Sequence, residues 1–254
     1  MVTTANTTTT GRTRWQLPLT VGSAMALAVG AIWRTLVENE VTVSPSPPVS
    51  DGLVASEWEA WYAWWATTLP QSRVALAVLL LGLVGVALTA LRTAGPSWAS
   101  RGGAVAMAGA VALWSAADVA QAGAMRAIEL MAVHDNPIDA VGSIAFTVDV
   151  ATSWVEAGAA ITLGAGATAM AVGLAHEDRR RQAILTGLVA AAAVGFGTTI
   201  LVPDLDTTVS GLALGVVLLP IWVITMSAAG TASTVDQSQT VPALSPVLSD
   251  EVAR

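Results

Sequence analysis

A chain this apolar carries few carboxylates, and several of them stand where charge is costly. Asp118, Glu129, Asp149 and Glu156, with Arg126 among them, fall in two long apolar stretches and the segment that joins them. Read as helices, each stretch gathers its acids on one side. Asp118, Ala122, Met125 and Glu129 recur at i, i+4, i+7 and i+11, and Asp149 and Glu156 are seven apart. An ionisable group inside a membrane is expensive, turns toward the bundle interior or water, and marks a functional site by default. That default is strongest for Asp118. Counted from Gly102 at the arginine-rich margin, it lies ~24 Å along a helix rising ~1.5 Å per residue, within a hydrocarbon slab of ~30 Å. Glu156, counted back from His176, reaches ~30 Å on the same rise. Facing each other on adjacent helices, Asp118 and Glu156 would hold a proton or a small cation; bonded to a neighbouring helix or to Arg126, Asp118 would be structural. Glu129 and Asp149 read as members of a solvated outer loop.

A second group offers aromatic surface rather than charge. In Ser56-Glu57-Trp58-Glu59-Ala60-Trp61-Tyr62-Ala63-Trp64-Trp65, a rotation of ~100° per residue puts Trp58, Trp61, Tyr62 and Trp65 on one stripe, away from Glu57 and Glu59. Ser56 and Glu59 have capping-box spacing, and Pro70 closes the segment. A short amphipathic helix from about Glu57 to Thr68 is therefore expected on the outer side. Its stripe serves either as an interfacial anchor or as a lid over an outward-facing site.

Many chemistries are closed to this sequence. It has no cysteine, and all 11 of its basic residues are arginine. Thiolate metal sites, iron–sulfur clusters and disulfides are thereby excluded, as are phosphate-loop and Schiff-base lysines. His134 and His176 fall on opposite membrane faces, so they cannot share a metal or haem. The paired Glu-x-x-His motifs of di-metal helix bundles are missing, and neither a Gly-x-Ser-x-Gly elbow nor a His-Glu-x-x-His pair occurs. No cofactor and no resident metal are implied, and the balance leans away from an enzyme. With a net charge of -7 and one short basic cluster, Arg179-Arg180-Arg181, nucleic acid is not an expected partner.

The elements that must position these residues are membrane spans. Of 254 residues, 54% are hydrophobic and 11% charged, against about 25% charged in soluble domains. Apolar blocks fall at 15–36, 72–92, 102–126, 148–175, 183–202 and 209–229. The expected fold class is an all-α, polytopic membrane bundle of about six transmembrane helices, with the short outer-side helix in addition. Residues 1–14 and 230–254 read as disordered tails around a bundle at 15–229, and 37–71 holds the linker and interfacial helix. The first block is longer than the ~7–15 apolar residues of a signal peptide, so it is expected to remain as an anchor. Small residues at four-residue spacing, Gly158/Thr162/Gly166, Gly187/Ala191/Gly195 and Gly211/Gly215, suit close helix packing in lipid. Pro220 is expected to kink the last span unless neighbours re-satisfy the freed carbonyl.

Arginine placement orients the bundle. Arg12, Arg14, Arg92, Arg101, Arg179, Arg180, Arg181 and Arg254 gather on one side, and Arg34, Arg73 and Arg126 on the other. Eight against three puts both termini in the cytoplasm of a multi-pass cell-membrane protein. The loops at 37–71, 127–147 and 203–208 are then outside. Three functions stand as expectations: transport or sensing of an ion, proton or small polar ligand at an outward-facing acidic and aromatic site; an accessory or assembly subunit of a larger membrane complex; and a carboxylate- or metal-dependent membrane enzyme. The partners expected are the lipid bilayer and either other membrane proteins or further copies of the chain.

Overall fold

Backbone groups in hydrocarbon must be satisfied within their own segment, so a chain with this block pattern folds as helices. A computed structural model describes residues 16–40, 55–133, 138–202 and 207–239, and the described residues contain no strand. The helices are α1 (Gln16–Glu40), α2 (Ala55–Thr93), α3 (Trp98–Val133), α4 (Ile138–His176), α5 (Arg180–Leu201), α6 (Thr207–Leu212) and α7 (Leu219–Gln239), with a π-helical turn over Ala213–Leu218 joining the last two. Six stretches are long and apolar enough to cross a membrane: Pro18–Leu36, Arg73–Thr93, Trp98–Ala124, Val150–His176, Arg180–Leu201 and Thr207–Ala229. The bundle is all-α with six candidate spans.

Several helices outrun the apolar blocks that define them. The segment expected as an outer loop at 127–147 is largely helical, because α3 runs to Val133 and α4 starts at Ile138. Long helices need no apolar face once they leave the bilayer, so hydropathy marks the span and not the helix end. The tryptophan segment is helical too, but Pro70 does not close it. α2 continues through that proline into the second span over 39 residues; a proline removes one backbone bond, which flanking helix on both sides can absorb. The segment is thus an extension of a span rather than a separate helix in the membrane plane. The last helix likewise continues to Gln239, past the boundary drawn at Gly230. The tails at 1–14 and beyond 239 lie outside the described residues.

Packing follows close backbone approach. α1 lies against α2, and α3, α4 and α5 form consecutive pairs, while the last span closes the ring against α1, α2 and α5. A Cβ on Gly30 would stand 2.6 Å from the Leu79 nitrogen, and one on Gly103 would stand 2.5 Å from the Gly166 carbonyl oxygen. No side chain fits at either crossing. The stripes expected from spacing are only partly used in this way. Gly166, Gly211 and Gly215 make close approaches, whereas Gly158, Gly187 and Gly195 have nothing within 4 Å.

Hydroxyls are kept from unpaired exposure by bonding their own helix. Thr162 and Thr198, both exposed on the bundle surface, donate to Gly158 O at 2.7 Å and Val194 O at 2.8 Å. A threonine-rich chain can sit in lipid for this reason. Pro220 has a similar remedy. The Leu219 N–H donates to Leu214 O, five residues back, and this wider turn precedes the proline, whose ring would otherwise crowd the carbonyl four residues before it.

Candidate functional site

Arg34 brings the two candidate carboxylates together. Its Nη1 donates to Asp118 Oδ1 at 2.7 Å and its Nη2 to Glu156 Oε1 at 3.5 Å. The three residues come from α1, α3 and α4. α1 does not pack closely against α3 or α4, so the guanidinium crosses the bundle interior to make the contact. Asp118 lies about six residues inside the Ala124 end of its span and Glu156 about six inside the Val150 end of its own, ~9 Å deep at the helical rise. Arg34 sits only two residues from the Leu36 end of the first span. An arginine so near the margin ordinarily turns its head toward water. This one turns inward, toward the acids.

Burial differs along the triad. The Asp118 side chain is 1% accessible, that of Glu156 12% and that of Arg34 27%. Asp118 Oδ2 is buried and accepts no hydrogen bond. One turn deeper on the same helix, Trp114 stacks on Phe196 of α5 at 5.4 Å between ring centroids, and its Nε1 is buried without an acceptor. Toward the arginine-rich end the interior is filled by apolar bulk, including Met107, Leu163, Met170, Trp222 and Met226. Asp118 is thus the deepest described acid of a polar cluster that stops against this plug.

The sequence expectations meet this geometry unevenly. Asp118 and Glu156 do turn inward on adjacent helices. Of the two structural partners expected for Asp118, a neighbouring helix or Arg126, it is a neighbouring span that supplies the cation, through Arg34, while Arg126 lies exposed two turns further along α3. The Arg34 guanidinium occupies the space between the two carboxylates. Among the described residues, no three histidine or acidic side chains converge as metal ligands do. Glu129 and Asp149 belong to α3 and α4 rather than to a loop, and their side chains, with those of Trp58, Trp61, Tyr62 and Trp65, lie outside the described residues, as do His134 and Asp135. In the sequence Arg34 counts only toward topology. Its signal was available, since it stands inside an apolar span.

At the opposite end a second polar cluster joins two loops. Glu177 Oε1 accepts from the Ser97 N–H at 3.0 Å, and Arg179 Nη1 reaches Glu177 Oε2 at 3.8 Å and the Thr93 carbonyl at 2.9 Å. Ser97 caps α3 by accepting from Ser100 N at 3.2 Å. The turn between α4 and α5 is a Schellman arrangement: Arg179 N bonds Leu174 O, Asp178 N bonds Ala175 O, and Asp178 takes φ 60°. A side chain at Gly95 would overlap the Glu177 carboxylate. Arg179, which the sequence offers only as part of a topology-setting basic cluster, and Glu177 beside it thus make structural contacts.

No family model matches the chain, and no curated protein or solved structure shows significant similarity to it.

Proposed function

We propose that this chain is a multi-pass cell-membrane protein that takes up a proton or a small cation at Asp118, in transport or in sensing, with both termini cytoplasmic and the Arg34 end outside. The supporting observation is that Arg34 bridges two acids across the interior while Asp118 Oδ2, fully enclosed, accepts nothing. A buried carboxylate oxygen costs free energy until a donor or cation satisfies it. Within the triad the acids outnumber the guanidinium two to one, so a further positive charge at Asp118 is accommodated rather than opposed. Glu156, held at 3.5 Å and more accessible than Asp118, is the member that exchanges partners as the charge arrives. Sidedness rests on the arginine bias.

The test is flux in proteoliposomes carrying an internal pH dye, with imposed gradients of protons, sodium and potassium. Wild-type protein is expected to carry or exchange one of these cations, and Asp118→Asn to abolish the signal while eluting as the wild type does and losing only about 1 kcal/mol of stability. An Asp118→Asn protein with full flux refutes the reading, as does a wild type that neither carries nor binds any of the three.

A second reading, assembly within a larger complex, is favoured by one observation. Gly109, Ala112, Ala116, Ala120 and Gly123 form an exposed small-residue stripe along α3, and Gly109 and Gly123 have nothing within 4 Å of a Cβ. Such a face admits another helix backbone. Zero-length cross-linking through Ala116→Cys in native membranes, with or without a linked species, decides whether it is used.

A further inference from the structure

Two polar atoms on the interior face of α3 lack a hydrogen-bond partner, and they are of opposite kind. Trp114, 9% accessible, keeps its Nε1–H buried with no acceptor, and Asp118, one turn further along, keeps Oδ2 buried with no donor. Buried polar groups are paired in all but a few cases, so each exception calls for a reason. Residues four apart on a helix share a face with ~5–6 Å between their Cβ atoms. Helical side chains also lean toward the N-terminus, which turns the Asp118 carboxylate toward the indole. Both side chains are anchored by their other contacts. Arg34 holds the second carboxylate oxygen, Oδ1, at 2.7 Å, and Phe196 of α5 stacks on the indole ring.

We infer that Trp114 and Asp118 together form the uptake site, and that the charge it takes is a proton carried by a water molecule rather than an alkali ion. The inference rests on the cation-uptake reading and names its ligand. Whatever satisfies both atoms at once must accept from the indole and donate to the carboxylate. Hydronium and water do both; a sodium or potassium ion accepts nothing and is opposed by the positive end of the N–H dipole. An alkali ion must also replace its hydration shell with several oxygens, often carbonyls freed where a span is broken. α1, α3, α4 and α5 run unbroken past this level, so their carbonyls stay in helical bonds. Of the described ionisable groups, Arg34 of α1 and Glu156 of α4 face Asp118. Arg73 and Arg92 of α2 and Arg126 of α3 are exposed, α5 carries charge only at Arg180 and Arg181, and the last span, Thr207–Ala229, carries none. On uptake an O–H bond of the hydronium breaks and one forms on Oδ2. The water left behind accepts from the indole, while Arg34 stays paired with Glu156. Entry is from the Arg34 end, where side-chain accessibility falls from 27% at Arg34 through 12% at Glu156 to 1% at Asp118.

Infrared difference spectra of the full chain in nanodiscs test this, recorded on acidification and on addition of sodium or potassium. A carboxylic acid C=O band is expected on acidification, missing in Asp118→Asn and indifferent to either salt. Trp114→Phe, which keeps a ring on Phe196, is expected to move that band to higher frequency without loss of stability. It should also raise about ten-fold the proton concentration at which the band is half formed, the worth of one hydrogen bond. A band whose frequency and midpoint ignore Trp114→Phe overturns the inference; so does one that persists in Asp118→Asn and vanishes in Glu156→Gln. Should Trp114→Phe fail to fold, wild-type protein with 15N-labelled tryptophan carries the test. One indole signal must then shift along the same titration as the band and stay still in Asp118→Asn, and the lack of such a signal overturns the inference. Spectra that answer sodium or potassium but not pH sink this inference and leave cation uptake at Asp118 standing. Spectra that answer none of the three sink both.

Discussion

Removing Arg34 should destabilise the bundle mainly through Asp118, and a double-mutant cycle makes the claim quantitative. In Arg34→Met the Asp118 carboxylate, 1% accessible, loses its 2.7 Å partner and has nothing on Oδ2 to fall back on. Breaking a buried pair by deleting one member costs ~3–5 kcal/mol in soluble interiors. Two facts lower that figure here. The Arg34 side chain is 27% accessible, and membrane-embedded polar contacts measured by mutant cycles average only ~0.6 kcal/mol with a maximum near ~1.7. A loss of about 2 kcal/mol is the resulting expectation for Arg34→Met. Asp118→Asn keeps a neutral acceptor for Arg34, which also retains Glu156, so about 1 kcal/mol is expected there. The double variant carries no stranded charge at this position and should lose less than the sum by about 1 kcal/mol. The assay is unfolding by SDS titration from mild-detergent micelles, followed by tryptophan fluorescence or circular dichroism. Two single effects that add to within ~0.3 kcal/mol would mean that Arg34 and Asp118 are not energetically coupled, and the argument for a triad would fall with them.

Three further expectations concern packing and topology. Gly103→Val should unfold or severely weaken the protein, because its Cβ would collide with the α4 backbone at Met170 and Gly166, whereas Gly109→Ala, with open space around it, should be neutral or stabilising by up to ~1 kcal/mol from helix propensity; equal melting temperatures for the two variants would contradict the packing described. Trp114→Phe removes an indole N–H that has no acceptor and keeps a ring on Phe196, so stability should hold or rise; Thr186→Val instead strands the buried Trp222 Nε1, now bonded to Thr186 Oγ1 at 2.9 Å, at a cost of about 1–3 kcal/mol. Thermal melts of the two variants should therefore move apart, and a loss in Trp114→Phe as large as in Thr186→Val contradicts the assignment. Cysteines introduced singly at Arg181, at the start of α5, and at Thr207, at the start of α6, both exposed, should label from opposite sides of oriented vesicles, with Arg181 cytoplasmic; same-side labelling removes the six-span topology.

How far the sequence reached can be judged residue by residue. Block length and hydropathy determined the six spans, since ~20 apolar residues have no other stable home than a bilayer-crossing helix. The same reasoning singled out Asp118 and Glu156, because depth along a helix is a linear count and an acid at that depth has to face inward. Three things required the tertiary structure. Helix ends beyond the membrane, as in α3 to Val133 and α2 through Pro70, are set by local backbone satisfaction and leave no hydropathy signal. Which small-residue stripe is buried depends on how the helices are rotated about their axes; Gly103 and Gly30 are enclosed while Gly187 and Gly195 face outward, though the spacing of both kinds is alike. The partner of Asp118 is the clearest case. Arg126 shares its helix and is eight residues away, but Arg34, 84 residues earlier, is the one whose guanidinium arrives, because the ring of spans turns α1 toward α3 and α4 across the interior. Sequence distance along one helix says what can lie on a face; only the closure of the bundle decides what that face meets.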